Sequence, residues 1–131
     1  MSPLSKYCSI LLLMLVSSVS HAQGLRVVQP IDGYVCMSLN LSERQLLDNS
    51  KPVPVRAEPS PNAPQIGVAG ATVAVLQPAQ PVNGFVQMLF PTGQHAWIPF
   101  NNLRPWRSVS NPAAKCVPSW LSNGKPGFDY K

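Results

Sequence analysis

Between Val53 and Trp106, apolar and polar residues alternate in short runs, and proline, glycine or asparagine cuts off each run. Val53 and Val55 alternate with Pro54 and Arg56. Ile66-Gly67-Val68 is short and apolar, Gly70-Ala71 reads as a turn, and Thr72 to Leu76 is β-branched and apolar. Gln77 to Asn83 is a loop broken by Pro78 and Pro81. Phe85 to Phe90 predicts a strand, and Gln94 to Ile98 its return strand. Pro91-Thr92-Gly93 joins them as a tight turn, with Gly93 free to take positive φ. Asn101-Asn102-Leu103 predicts a single 3₁₀ turn before a last short strand at Arg104 to Trp106. Period-two runs of this length, closely spaced between turns, predict an all-β fold, a small barrel or sandwich. Alternation aims Val55, Ile66, Val68, Val73, Val75, Val86, Met88, Ile98 and Leu103 into one core.

The pattern weakens on both sides. Gln23 to Gly33 reads as an extended lead-in, and Tyr34 to Leu41 alternates weakly, as a short strand would. Ser42 and Gln45 have capping-box spacing, which predicts one or two helical turns over 42–48. Asn49-Ser50-Lys51-Pro52 ends them, because proline disfavours helix in the residue before it. From Ser108 the apolar pattern fades and proline and glycine rise. Residues 108–131 therefore read as an irregular tail, with Trp120 and Leu121 available to dock on the barrel. The chain has no internal repeat. It divides into 1–22, an N-terminal extension 23–51, the strand-rich region 52–107 and the tail 108–131.

Residues 1–22 belong to export rather than to the fold. Lys6 gives a short positive start, Ile10 to Val19 is apolar, and Ser20-His21-Ala22 sets small residues where a signal peptidase reads them. The rival reading, a membrane anchor, needs about 20 apolar residues, and the run is too short. A lipoprotein signal needs its cysteine after the apolar run, whereas Cys8 precedes it. The expected mature form therefore spans no membrane and is periplasmic or secreted. Of three cysteines, Cys36 and Cys116 remain. An even count in an exported chain predicts one disulfide, with two free thiols as the alternative. Closing a loop of that length stabilises a chain by roughly 4 kcal/mol in the chain-entropy view. The net charge of +5 falls to +4 when Lys6 leaves with the leader. The basic residues are scattered singly, which suits a mild affinity for anionic surfaces. No basic cluster with interleaved aromatics is present, so nucleic acid is not an expected partner.

The ordered pieces of residues 52–107 resemble the bacterial SH3 (SH3b-like) domain family. They are Val55-Arg56 with Pro59-Ser60, Gln65-Ile66-Gly67, Thr72 to Leu76, Asn83-Gly84-Phe85, Thr92-Gly93, Ala96-Trp97-Ile98 and Asn102-Leu103. The resemblance implies a partly open SH3-like barrel flanked by irregular extensions. It also implies that the prolines of Val53 to Gly67 shape a loop rather than serve as a ligand for another SH3 domain. Arg56-Ala57-Glu58-Pro59 supplies half of such a ligand motif, but Asn62 stands where its second proline belongs. Two departures matter: Glu58 occupies a usual glycine position, and Phe85-Val86 replaces a usual Trp-Tyr. The second thins the aromatic surface such domains use for binding.

Catalytic chemistry has little to work with. His95 is the one histidine after the leader, too few for a zinc site of three or four ligands. The five acids are well spread and offer no paired carboxylates. Asn40-Leu41-Ser42 is a sequon that matters only in a glycosylating host. The expectation is a non-enzyme without metal or cofactor. Tyr34, Phe85, Phe100, Trp106 and Trp120 cannot all fit in so small a core. Either some form an exposed binding patch, or the flanks cover them. Trp97 reads first as a structural residue of the barrel. The resemblance implies a binding module for a cell-wall component or an envelope protein. Its groove would lie beside the 53–67 and 77–83 loops, with Arg56, Glu58, Phe85, Trp97 and Trp106 as candidates. The competing expectation is an assembly subunit of an envelope complex, in which residues 108–131 fill that groove.

Overall fold

The computed structural model describes residues 24–48, 51–108 and 110–131. The leader assigned to 1–22 lies outside them. The chain is nearly all β, as the alternation predicts. In order it forms β1 (Val27–Pro30), β2 (Tyr34–Leu39), helix α1 (Glu43–Asp48), β3 (Pro54–Arg56), β4 (Gln65–Val68), β5 (Thr72–Leu76) and β6 (Phe85–Leu89). Then come β7 (His95–Pro99), a 3₁₀ turn (Phe100–Asn102), β8 (Leu103–Pro105), β9 (Cys116–Leu121) and β10 (Pro126–Tyr130). A large antiparallel sheet of seven strands runs β4-β3-β7-β6-β5-β2-β8, and a small one of three runs β1-β9-β10.

Five of the six strand prolines stand at strand ends, and Pro118, inside β9, is the exception. Pro54 and Pro126 open β3 and β10, and Pro30, Pro99 and Pro105 close β1, β7 and β8. Proline lacks an N–H for the ladder, so these are the places a sheet tolerates it. The short helix forms as its spacing predicts: Ser42 N–H donates to Gln45 Oε1, and Gln45 N–H donates to Ser42 Oγ. Gly93 takes φ of 94° in the turn between β6 and β7. A second tight turn sits at Asn83-Gly84, both at positive φ, where Val82 and Phe85 exchange backbone hydrogen bonds. It shortens the predicted 77–83 loop, and it is the turn that the Asn-Gly pair favours.

The main core gathers Leu39, Val53, Val55, Val73, Val75, Val86, Met88, Ala96 and Ile98. Ile66 and Leu103 pack against it while only partly buried. Val68, expected inside, is 49% exposed. The cause is a register shift in the β3–β4 pair: Val55 faces Gly67, and Arg56 faces Gln65. Ile66 is thus the extra residue of a bulge, which moves Gly67 to the inner face and Val68 outward. Phe90 closes over Gly67 so tightly that an added Cβ would stand 2.5 Å from the ring.

Both extensions hold more structure than expected. β2 lies inside the large sheet between β5 and β8. Residues 108–131, expected as an irregular tail, instead contain the β9–β10 hairpin, which pairs with β1. Pro118, Pro126 and Gly127 interrupt the period that would have announced it. The small sheet covers the outer face of the large one, where Ile31, Ala74 and Leu89 form a second core with Tyr34, Trp120 and Phe128. This explains the unbroken burial of Val73, Ala74 and Val75 on β5: the strand is covered on both faces. Cys36 on β2 and Cys116 on β9 are joined in a disulfide, which fastens one sheet to the other.

Candidate functional site

Directly opposed residues of an antiparallel pair share a face. Arg56 opposes Trp97, and Trp97 opposes Gln87, so these three lie on the outer face of the large sheet. Phe85 and Leu89 share that face by alternation along β6. The expected site residues are therefore only partly brought together. Arg56 is half-buried, and its Nη1 donates to the Ala63 carbonyl at 3.3 Å, which braces its own loop. Trp97 is half-buried beside it, Glu58 is exposed on the β3–β4 loop, and Phe85 is 7% exposed. Asn83 Nδ2 donates to the Pro59 carbonyl at 3.1 Å, so the two loops expected to flank a groove are tied together. Trp106 belongs elsewhere: its ring stacks on Tyr130 of β10 with centroids 5.8 Å apart. Phe128 follows at 6.2 Å from Tyr130.

His95 is exposed at the start of β7. Its Nδ1 lies 2.9 Å from Gln87 Nε2 and 3.3 Å from the Tyr34 hydroxyl. Burial raises the Tyr34 phenol above its ordinary value. Among the described residues, no group of three or more His, Cys, Asp or Glu side chains is placed to hold a metal ion.

An apolar cleft lies at the seam between the sheets. β5 and β6 pair only at Ala74–Leu89 and Val75–Met88, then part company. The gap between Thr72-Val73 and Phe90-Pro91 opens as an apolar cleft of about 200 Å³. Ala69 and Gly70 form its rim, and Pro126, Gly127 and Phe128 of β10 form its far wall. A smaller cleft of about 70 Å³ lies on the other side of Ala69-Gly70, beneath Gln45 and Leu46 of α1. The alternation gave no hint of the seam cleft, because its wall comes from β10. The Phe128-Asp129-Tyr130 alternation was the available signal, and two rings spaced by one residue do define a strand face.

Fold and surface together define a small all-β protein of two disulfide-linked sheets with an apolar cleft at their seam. Comparison with models of protein families, with curated proteins and with solved structures finds no match. No helix of the described residues is long and apolar enough to cross a membrane.

Proposed function

We propose that the chain is a non-catalytic binding module of the cell envelope, exported by its 1–22 leader, and that its ligand places an apolar group in the seam cleft. The observation that carries this reading is the cleft itself, about 200 Å³ with an almost wholly apolar lining. Concave apolar sites of this kind are where small domains take ligands. The Cys36–Cys116 bridge supports a site of action outside the reducing cytoplasm. The SH3b-like character of residues 52–107 is part of the same proposal. A 3₁₀ turn between β7 and β8, next to a β6–β7 hairpin, is in keeping with it.

The second reading, an assembly subunit, is favoured by a different observation. Val27 and Val28 are exposed on β1 at the edge of the small sheet, with Leu25 exposed just before it, and Trp106 is occupied by Tyr130 of the hairpin. One experiment separates the two. Mature protein immobilised on beads is incubated with envelope extract, with and without added purified peptidoglycan, alongside the Gly70→Leu variant. Gly70 stands at the cleft rim with φ outside the left-handed range, and a Cβ there meets nothing closer than 3.8 Å. A Cβ there is therefore tolerated, and the leucine side chain is expected to narrow the clefts that Gly70 lines. Capture by wild type that the variant loses supports the cleft. Capture unchanged in Gly70→Leu but lost in Val28→Glu supports assembly through β1.

A further inference from the structure

We propose that the free edge of β10 accepts an additional strand: an extended acidic peptide segment of a partner protein pairs along it and sets one apolar side chain into the seam cleft. The inference rests on the reading of the cleft as the binding site and names its occupant.

The backbone bonding of β10 decides which groups are free. Lys115 and Lys131 exchange two backbone hydrogen bonds of 2.9 Å, one in each direction. Hydrogen-bonded and non-hydrogen-bonded pairs alternate along an antiparallel ladder. The pairs Asp129–Val117 and Gly127–Ser119 are therefore bonded, and Tyr130–Cys116 and Phe128–Pro118 are not. Ile31 N–H donating to the Pro118 carbonyl from the β1 side, at 2.8 Å, agrees with that phase. The N–H and C=O of Phe128 and Tyr130 thus point away from β9. Among the described residues, no strand pairs with β10 on that side.

The other sheet edges are blunted. β1 has a register shift between Val27 and Gln29, β4 has the bulge opposite Val55, and β8 is three residues ending in Pro105. Bulges, short length and proline are how edges are kept from pairing. β10 keeps regular register over all five of its pairs, with its proline only at the start. It is also the edge whose residues wall the cleft. An added strand gains affinity from main-chain bonds and specificity from a pocket beside them. A cavity of about 150 Å³ accepts benzene, so this cleft suits one leucine- or phenylalanine-sized side chain.

Charge selects the partner. Lys125 and Lys131 stand at the two ends of β10. Antiparallel pairing of two copies centred on Phe128 would set Lys125 of one against Lys131 of the other, which argues against a second copy. Lys131 is shared with Asp129, whose carboxylate lies 3.5 Å from it, so an acidic residue of the added strand meets its complement chiefly at Lys125.

The test selects from a random-peptide display library on the mature, disulfide-bonded protein, and then follows amide exchange with a selected peptide bound. Selected sequences are expected to combine an apolar residue with flanking Asp or Glu. The Phe128 and Tyr130 amides should exchange at least about tenfold more slowly when the peptide is bound, with Gly127 and Asp129 little changed. Gly70→Leu and the Lys125→Glu/Lys131→Glu pair should each weaken binding by about tenfold or more. A peptide that fills the cleft and is lost in Gly70→Leu, yet leaves the Phe128 and Tyr130 amides unprotected, overturns strand addition and leaves the cleft reading standing. Failure of any peptide to bind overturns this proposal, and unchanged envelope capture by Gly70→Leu separately overturns the cleft. Self-association through β10, seen as a sedimenting dimer that Lys125→Glu strengthens and that protects the Phe128 and Tyr130 amides, also overturns it.

Discussion

Removing the disulfide, as Cys36→Ala/Cys116→Ala, should loosen the small sheet before it loosens the large one. The bridge spans a sequence separation of 80 residues. The chain-entropy relation gives about 3 kcal/mol for a 15-residue loop and about 4.7 for a 100-residue loop, so roughly 4 kcal/mol applies here. A small domain is stable by only about 5–15 kcal/mol, so the loss is a large share of the whole. The architecture directs where it falls. β2 is held on both sides within the large sheet, between β5 and β8. Without the bridge, the β9–β10 hairpin keeps the second core around Ile31, Ala74 and Leu89 and the Trp106–Tyr130 stack. An aromatic pair contributes about 0.5–1.5 kcal/mol beyond its buried area, well short of the bridge. Urea unfolding should therefore show a stability loss of about 2–4 kcal/mol. Native-state amide exchange should show β9 and β10 losing protection while β5 and β6 retain theirs. A double variant that loses less than about 1 kcal/mol and keeps β9 and β10 protected would refute the reasoning. The small sheet would then be held by packing alone.

Ile98→Ala, at a fully buried core position, should cost about 2–5 kcal/mol in urea unfolding. Gly67→Ala and Gly127→Ala each drive a Cβ to 2.5 Å from a neighbouring side chain, Phe90 and Leu121 respectively. Each should cost about 1–3 kcal/mol by the same measurement, and Gly67→Ala should be rescued in part by Phe90→Leu. Trp106→Ala should leave the large sheet folded while speeding exchange of β10 amides; global unfolding would instead place Trp106 in the core. Tyr34 makes high pH destabilising. Its phenol is raised above 10.0 in the folded chain, so the unfolded chain ionises first and stability falls as pH rises past that value. Unfolding followed between neutral and alkaline pH should show that fall reduced in Tyr34→Phe.

What the sequence made legible follows from the range of the interaction responsible. β5, β6, β7 and the Gly93 turn are local: period-two alternation and one permissive glycine are enough to specify them. The Ser42–Gln45 capping box is likewise three residues wide. The disulfide was legible by counting, since only two cysteines follow residue 22. Val68 was misplaced because the bulge at Ile66 depends on how β4 registers against β3, which alternation within β4 cannot reveal. β9 and β10 stayed hidden because Pro118, Pro126 and Gly127 are strand-weak residues that tertiary pairing overrides. The expected groove residues are only partly brought together: Arg56, Trp97 and Phe85 share a face, but Phe85 is buried, Arg56 is committed to the Ala63 carbonyl, and Trp106 is engaged by Tyr130.

The cleft and the small sheet have one origin. Ala74 and Leu89 face outward from the large sheet, and left bare they would expose apolar surface at its centre. A hairpin alone is marginal in water, and a third strand with a packed face makes it viable. β1 supplies that strand, and the Cys36–Cys116 bridge fixes its seat. The cover is narrower than the surface beneath it, three strands over seven. It ends at β10, where β5 and β6 separate, so apolar lining remains open beside an unpaired backbone edge. Widening the cover by one strand would complete the sandwich. The proposed added strand would take that place, its backbone on β10 and one apolar side chain in the seam.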